Sequence, residues 1–518
     1  MYTSKRLFTL LLLTFCFSCG QQDQQSDVAE APPEGGIPPE MVKMAALDQE
    51  RGLRLKTENA TPGYILFSSL TSSDVYLIDL DGKVVHEWKT NFGLGSHYLM
   101  EDGRLYVHSR DPEAVVFSGG GMAGRVQEFS WDGELLWEYK LANQDNLMHH
   151  DFAVMPNGNI LLIVWESKTP EEAMAAGRMP HLIPKAGVWP DKIIEVKPTK
   201  PSGGEIVWEW YAWDHMIQDV NPDLPNYGKL SDHPERININ NGDTIRQPDP
   251  EEFERGKAQG QYAANATIDN MGSDMFHTNA IDYNPELDQI VLSIPDFSEI
   301  WIIDHSTTTE EASGSTGGKS GKGGDLLYRW GNPQEYNRGD TTDQYLGFEH
   351  DVRWILPGYP GEGDLTIFNN NFKDADGETH SQVTQITPPM DADGKYIIPE
   401  SGPIGPEKPT WTYTANNEGD YLAMFISSAH RMKNGHTLMN FGPQGRLQEI
   451  TEDGEVVWDY WSPYIGQWKL PDGTPPQPVG PFMYAIFRAT HIPVDHPAVA
   501  GKELQPIDPQ PATQKPPM

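Results

Sequence analysis

The sequence is poor in cysteine, in positive charge and in long hydrophobic runs. Its two cysteines, Cys16 and Cys19, both stand near the N-terminus, which excludes a disulfide, a thiolate metal site and a thiol nucleophile in the rest of the chain. The chain has 38 Lys and Arg against 75 Asp and Glu, a formal net charge of −37. A surface with this charge repels nucleic acids and anionic membranes, so we expect no nucleic-acid partner.

The N-terminus has the pattern of an export signal. Two basic residues precede an apolar run at 7–17, whose 11 residues fall short of the ~20 that a membrane-spanning helix requires. Residues 1–18 are therefore predicted to be a signal peptide. Ser18-Cys19-Gly20 is similar to a bacterial lipoprotein cleavage box, although Cys16 stands where leucine is usual. We expect an exported, periplasmic or outer-membrane lipoprotein that contacts the membrane only through a lipid on Cys19; simple secretion is the alternative.

Composition divides the remainder into a folded domain and two terminal segments. Residues 19–58 are rich in Gln, Pro and Glu and are predicted to be a flexible tether. Residues 504–518 are predicted to be a disordered tail. The folded domain then covers 59–503, and the polar, Pro-rich segment at about 211–272 inside it is predicted to be an irregular cap over one face.

Two short units alternate along the folded domain. The first is a strand, a turn and a second strand that carries a tryptophan, and its six copies contain Trp88, Trp137, Trp208, Trp330, Trp411 and Trp458. The second is a histidine followed by a hairpin, with copies at His97, His149 and His150, His277, His350 and His430; the strand at His491 has no hairpin after it. One unit of each kind makes four strands, which is the size of one propeller blade.

The repeat predicts an all-β fold, a six-bladed β-propeller. Five blades are complete in sequence, and the first blade is split between the two ends of the domain. Residues 63–88 supply three of its strands, and the C-terminal strand around His491 supplies the fourth. This arrangement closes the ring and removes the exposed edges that an open sheet would leave.

The repeated histidines are the candidate functional residues. The innermost strand of each blade lines the central channel, so we expect these histidines to converge near one mouth of it. They could hydrogen-bond along the channel wall, bind a metal ion, or bind and transfer an anionic group. No compact metal-binding spacing such as HExxH occurs, so we predict no metal site and no cofactor. The glycine-rich stretches at 118–124 and 314–324 superficially match phosphate loops but are interpreted as ordinary loops.

Several longer stretches resemble the bacterial arylsulfotransferases. They are YRWGNPQEY (328–336), GFEHDVRWI (347–355), LTIFNNN (365–371), SSAHRMKNGHTLMNFGPQGRLQEITEDGEVVWDY (427–460) and FRATHIP (487–493). The resemblance runs in consistent order from about residue 60 to 503. It implies a six-bladed propeller and an exported enzyme that moves a sulfuryl group from a phenolic sulfate ester to a phenolic acceptor, without a nucleotide donor. It also implies a ping-pong reaction through a sulfohistidine.

The resemblance assigns roles to individual residues. His430 takes the place of the sulfated histidine, and His277 and His350 match two histidines that contact the anion. The family has an arginine soon after the strand that matches LTIFNNN, where this chain has Asn371 and then Lys373, which lacks the planar fork of arginine. The other candidates for substrate binding belong to the repeated histidines or adjoin them: His150, His491, Arg431 and Arg488.

The expected mechanism is sulfuryl transfer between small aryl sulfates and phenols. Neutral His430 attacks sulfur while His277 and His350 hold its oxygens, and a protonated histidine, with His350 as the candidate, gives a proton to the departing phenolate. Two alternatives stay open. One is a non-catalytic or lapsed propeller that binds anionic or sulfated ligands, which the missing arginine favours. The other is a metal-dependent hydrolase or lyase that uses the histidine ring.

Overall fold

The fold is a six-bladed β-propeller, as the repeat predicts. The structure is a computed structural model and describes residues 37, 39–90, 92–111, 116–242, 244, 249–251, 253–254, 266–415, 422–466 and 481–513. Six antiparallel sheets of four or five strands form the blades. Their innermost strands contact one another in a closed ring around the channel.

Each blade is a simple up-and-down sheet. From the innermost strand outward, the blades consist of Ile486–Pro493, Gly63–Ser69, Asp74–Ile78 and Val84–Lys89 (blade 1); Leu94–Leu99, Leu105–Arg110, Gly124–Phe129 and Leu135–Lys140 (blade 2); Asn146–Val154, Ile160–Glu166, Asp191–Pro198 and Gly204–Tyr211 (blade 3); Ala280–Asn284, Gln289–Ile294, Glu299–Asp304 and Tyr328–Trp330 (blade 4); His350–Trp354, Leu365–Lys373, Thr379–Ile386 and Trp411–Thr414 (blade 5); and Ser428–Arg431, Thr437–Phe441, Arg446–Ile450 and Val456–Trp461 (blade 6).

The ring closes in blade 1. Its innermost strand comes from the C-terminal end of the domain and pairs antiparallel with Gly63–Ser69, so that Tyr64 lies opposite Ile492 and Leu66 opposite Thr490. The prediction that the strand around His491 completes the first blade is confirmed.

The repeated tryptophans explain why the sequence repeats. The indole N–H of each one donates a hydrogen bond to the following blade: Trp88 to Ser130, Trp137 to Gly203, Trp208 to Thr307, Trp330 to Pro406, Trp411 to Glu452 and, across the closure, Trp458 to Leu80. Each bond adds about 1 kcal/mol to the burial of the indole. One tryptophan per blade therefore joins every blade to its neighbour.

Both ends of the domain extend beyond the predicted limits. The strand Gly52–Lys56 pairs with Val456–Trp461 as a fifth strand of blade 6, within the segment predicted to be a tether. The helix Pro39–Met44 precedes it, and Met41 is buried against blade-edge residues such as Met483. In the predicted tail, the Ile507 N–H donates to the Val84 carbonyl. Ordered structure thus replaces flexibility in these parts, while residues 1–36, with Cys19, lie outside the described residues.

The described part of the segment predicted to be a cap packs on blades 3 and 4. Its strands Met216–Ile217 and Ile237–Asn238 pair in parallel, and Met216 and Ile237 share a core with Trp210 and Trp301. Other helical elements among the described residues include the α-helices Pro170–Ala175 and Thr309–Ala312 and the 3₁₀ turns Pro180–Leu182, Ala212–His215, Leu230–Asp232, Ile268–Asn270, Pro333–Tyr336 and Gly442–Gln444. Within the described ranges, no helix combines the length and apolar character needed to cross a bilayer.

Candidate active site

Three histidines meet at one end of the channel. His150 lies in the innermost strand of blade 3, His277 precedes that of blade 4, and His350 begins that of blade 5. The ring centroids of His150 and His277 are 4.3 Å apart. Phe348 stacks on His277 at 6.0 Å and lies 5.7 Å from His350. The three histidines are called the histidine cluster below.

The backbone around the cluster adopts the left-handed conformation, which residues other than glycine rarely adopt. His150, His277, Phe348, Asp351, Ile426 and Ser427 all have φ between 48° and 91°. Left-handed φ values at bulky residues store strain, which is typical of functional sites. Their concentration at this end of the channel marks it as the candidate active site.

His277 is the charged member of the cluster. Its Nδ1 lies 2.7 Å from Asp274 Oδ2, and its backbone N–H donates to Oδ1 of the same carboxylate at 3.0 Å. Burial alone would lower the pKa of His277, but the Asp274 carboxylate raises it above the ordinary value. A Cβ added at Gly120 would lie 3.5 Å from Nε2. An imidazolium whose Nε2–H faces the glycine-rich loop at 118–121 is therefore available to bind an anion.

His150 is held by a second histidine. Its Nδ1 lies 2.8 Å from Nδ1 of His149, whose Nε2 lies 3.1 Å from Asp191 Oδ1. His149 stacks on Trp165 at 4.2 Å. Burial, helped by the charge of His277, holds the pKa of His150 well below its ordinary value. His150 is therefore neutral at pH 7, with only Nε2 available to a ligand.

His350 is neutral with a defined tautomer. Its Nδ1–H donates to Asn370 Oδ1 at 2.9 Å and lies 3.2 Å from the Phe348 carbonyl. The lone pair is therefore on Nε2, where it accepts the Ile426 N–H at 3.0 Å. Burial and the nearby Arg488 keep the pKa of His350 well below its ordinary value. The hypothesis that protonated His350 supplies the proton is thus not favoured.

Arg488 joins the blades beneath the cluster. The fully buried guanidinium lies 2.9 Å from Asp351 Oδ1 and donates to the carbonyls of Ser427 and Asn279. It thus connects blades 1, 4, 5 and 6. Its charge supplies positive potential to the site of an otherwise acidic protein, but these donors are occupied by protein groups, so Arg488 is not placed to clasp a substrate directly.

His430 does not join the cluster. Its Nε2 lies 2.9 Å from Oδ2 of Asp351, whose Oδ1 also contacts Arg353 at 3.0 Å. In the described part of the chain, no ring contact joins it to His150, His277 or His350. It stands near the end of its strand, whereas His350 stands at the start of its own. Of the repeated histidines expected to converge at one mouth, the ring contacts of the described residues join only His150 with its neighbour His149, His277 and, through Phe348, His350.

Other candidates also lie elsewhere. Arg431 donates to the Gly435 carbonyl and Gln385 and lies over Trp411, at the seam between blades 5 and 6. His491 packs against Gly63. Lys373 is exposed at the end of its strand. Asn371 donates to the Met424 carbonyl, while its neighbour Asn370 is the one that contacts His350.

Four contributors to the site received no role of their own from the sequence. They are Asp274, His149, Asn370 and the glycine-rich loop at 118–121, which was interpreted as an ordinary loop. A Cβ added at Gly121 would lie 2.2 Å from both Cδ2 and Nε2 of His150 and overlap the ring, so this loop must carry glycine to lie against the cluster. The available signals were the Asp-x-x-His spacing at 274–277 and the paired histidines at 149–150. Within the described residues, no group of three or more His, Cys, Asp or Glu is arranged to hold a metal ion.

Comparison with known proteins identifies the family. The sequence model of the Arylsulfotransferase (ASST) family matches residues 40–459, most of the chain. The chain belongs to this family. The match confirms the resemblance drawn from the sequence, and membership in the family supports aryl sulfotransferase activity in general. No curated protein matches the chain significantly in sequence.

The solved structures similar to this chain are distant. A protein of unknown function from Bacteroides caccae is 12% identical, with 83% of this chain and 99% of that chain covered and a TM-score of 0.40. The periplasmic gluconolactonase PpgL of Pseudomonas aeruginosa has the same identity and coverage and a TM-score of 0.38. A catalytically inactive variant of the virginiamycin B lyase of Staphylococcus aureus is 10% identical, with 81% and 91% covered and a TM-score of 0.33.

Proposed function

We propose that the protein is an exported sulfotransferase that moves a sulfuryl group from a phenolic sulfate ester to a phenolic acceptor. The reaction is ping-pong and passes through a sulfohistidine. The observation that carries this proposal is the histidine cluster, in which His150 and His350, whose pKa values are lowered by burial, stand beside His277, whose pKa the Asp274 carboxylate raises toward the imidazolium form. Neutral imidazole is a competent nucleophile, and the imidazolium offers a charge-assisted hydrogen bond to a sulfuryl oxygen.

His350 is the proposed nucleophile, in place of His430. The Asn370 and Phe348 oxygens fix its proton on Nδ1, so the lone pair resides on Nε2. When the Ile426 amide releases this atom, Nε2 forms the N–S bond as the bond from sulfur to the phenolic oxygen breaks. His430 makes its short contact with Asp351 instead, away from His277.

His277 supplies the charge that the missing arginine supplies in the family. Its Nε2–H would donate to a sulfuryl oxygen, with Asp274 keeping the ring protonated. Phe348 and Phe487 flank the cluster, with Phe487 at 6.2 Å from His150, and would contact the phenyl ring of either substrate. The site thus combines an anion-binding group with apolar walls, which suits an aryl sulfate.

A burst experiment tests the proposal. The enzyme is mixed with excess of a chromogenic aryl sulfate, and the release of phenol is followed with and without an added phenolic acceptor. We expect a rapid burst of about one phenol per active site, then turnover that depends on the acceptor. His350→Asn should abolish the burst, and His430→Asn should retain it. Absence of burst and turnover in the wild type would instead favour the binding propeller.

Export and lipid anchoring are part of the proposal. The signal peptide and the Ser18-Cys19-Gly20 box support them. Labelling cells with a fatty acid should mark the wild-type protein in the membrane fraction, whereas Cys19→Ala should remain unlabelled. A wild-type protein that carries no label after export would contradict anchoring and leave simple secretion.

A further inference from the structure

A line of buried groups leads away from the cluster, behind His150. Nδ1 of His150 faces Nδ1 of His149 at 2.8 Å, and Nε2 of His149 faces Asp191 Oδ1 at 3.1 Å. All three residues are buried. The other oxygen of Asp191 accepts the Thr278 N–H at 3.1 Å. The line thus begins at Nε2 of His150, the only nitrogen of that ring left for substrate, and ends at a fixed carboxyl oxygen.

The two Nδ1 atoms at hydrogen-bonding distance restrict the proton positions. One Nδ1 must carry a proton and the other must be the acceptor. If His150 donates, His149 carries its proton on Nε2 and donates to ionised Asp191, and Nε2 of His150 presents a lone pair. If His149 donates, its Nε2 accepts a hydrogen bond from a protonated Asp191, and Nε2 of His150 carries the proton of that ring. The two arrangements differ by one proton.

We infer that Asp191, His149 and His150 form a proton relay that serves the phenolic oxygen. The inference rests on the proposed function and names the acid and base of that same site. His149 and Asp191 act through His150, which alone of the three would touch the substrate.

The relay balances the protons of both half-reactions. As the N–S bond forms and the phenolate leaves, Nε2 of His150 gives its proton to the phenolate oxygen. Nδ1–H of His149 then passes to His150, and the Asp191 proton passes to Nε2 of His149. The acceptor phenol reverses each transfer as its oxygen forms the new O–S bond and the N–S bond breaks. Every relay imidazole stays neutral, which a buried site beside the His277 cation requires.

The surroundings of the relay support this function. His149 lies flat against Trp165, and Trp165 donates its indole N–H to Asp274 at 3.1 Å. The orientation of the His149 ring is therefore fixed, with Nδ1 toward His150 and Nε2 toward Asp191. Burial raises the pKa of the Asp191 carboxyl, and the Asp274 charge adds to this effect, which favours the protonated carboxyl that the second arrangement requires.

The decisive measurement is the dependence of rate on the pKa of the phenol. A phenol that forms a stable anion needs no proton on leaving and has lost its proton before attack, so it bypasses the relay. We measure both half-reactions of the full-length enzyme with a series of substituted phenols and their sulfates, for the wild type, Asp191→Asn and His149→Phe. His149→Phe keeps an aromatic ring on Trp165 but removes both nitrogens.

We expect both variants to be at least about 100-fold slower with weakly acidic phenols, in line with the loss of general acid–base catalysis, and within about tenfold of the wild type with the most acidic ones. The matched control is Asp325→Asn, which alters another buried His–Asp pair, His215 with Asp325 at 2.8 Å, outside the cluster. Asp325→Asn should leave the dependence of rate on the pKa of the phenol unchanged. Thermal unfolding of each variant reports the stability separately.

Two results would overturn the relay. The first is a rate loss in Asp191→Asn that is equal for all phenols, which indicates a structural role only. The second is the absence of any loss. Failure of the proposed function would look different, because the wild type itself would then show neither burst nor turnover.

Discussion

Asp351 binds His430 and Arg488 with its two oxygens, each at 2.9 Å. Both partners, together with Arg353, hold the pKa of this carboxyl far below its ordinary value despite its burial. His430 is thereby part of a charge network beneath the histidine cluster. The network orients the blades that carry His277 and His350. His430 therefore acts on the site through these blades and not by contact with the substrate.

The position of His430 predicts the effect of its replacement. His430→Gln should reduce the burst rate by less than about tenfold and the free energy of unfolding by about 1–2 kcal/mol, because Asp351 keeps both arginine partners. His350→Gln should reduce the burst at least about 1,000-fold with a similar loss of stability. Burst kinetics and denaturant unfolding measure both. Equal loss of activity in the two variants would contradict the assignment.

The pairing of His277 with Asp274 predicts a pH dependence. The imidazolium is the active form, so kcat/KM should be maintained below the raised pKa of His277 and fall as the pH rises through it, which places the alkaline limb above the ordinary value of 6.5. In Asp274→Asn, burial acts without the compensating carboxylate, so the limb should move to lower pH. If the alkaline limb of the kcat/KM profile stays at the same pH in Asp274→Asn, a group other than His277 is responsible for it.

The close approach of Gly121 to His150 predicts that a residue larger than glycine at position 121 impairs activity. Gly121→Ala adds a Cβ that overlaps the His150 ring, and we expect at least a tenfold loss of activity. Gly133→Ala is the matched control, since it also has a positive φ, of 84°, but meets nothing within 4 Å. Both should lose about 1 kcal/mol of stability through backbone strain. Equal activities of the two variants would show that the loop does not position His150.

The bonds by which Arg488 connects blades 1, 4, 5 and 6 predict that its replacement lowers the free energy of unfolding strongly. Arg488→Met leaves Asp351 with fewer buried partners and removes the bonds to Ser427 and Asn279, so unfolding should become easier by about 3–5 kcal/mol. Arg431→Met is the comparison, because the bonds of Arg431 are to the neutral groups of Gly435 and Gln385, and we expect about 1–2 kcal/mol. A smaller loss of stability for Arg488→Met than for Arg431→Met would argue against this role of Arg488.

The propeller could be predicted from the sequence because its period has a local cause. Each blade needs its own tryptophan to bond to the next blade, so the residue recurs once per blade even where hairpin loops differ in length. The bond from Trp458 to Leu80 shows that the same rule holds across the closure. The family resemblance could be recognised for the same reason, since it rests on whole strands in a consistent order.

The height of each histidine in the channel could not be predicted, because the strands do not keep one register. In blade 5, the pairing of the innermost strand shifts between His350 and Arg353, whereas in blade 6 Ser428 to Arg431 pair without a shift. One extra residue moves every later side chain along the strand. The place of a histidine before its hairpin in the sequence therefore does not determine which side chains it contacts in the fold.

The relay and the glycine-rich loop depend on contacts that are distant in sequence. The Gly121 carbonyl accepts the backbone N–H of His150 from another blade, and His149 reaches Asp191 across its own blade. Neither contact has a fixed spacing that a single sequence could reveal. The adjacent histidines at 149–150 were visible, but only the fold shows that their rings bond to each other.

The site of sulfuryl attachment tests the central claim most directly. The enzyme is mixed with an aryl sulfate without acceptor, denatured at alkaline pH and digested, and the modified peptide is sequenced by mass spectrometry. We expect one sulfuryl group on His350, lost when a phenol is added before denaturation. A sulfuryl group on His430, or on any residue outside the histidine cluster, would contradict it.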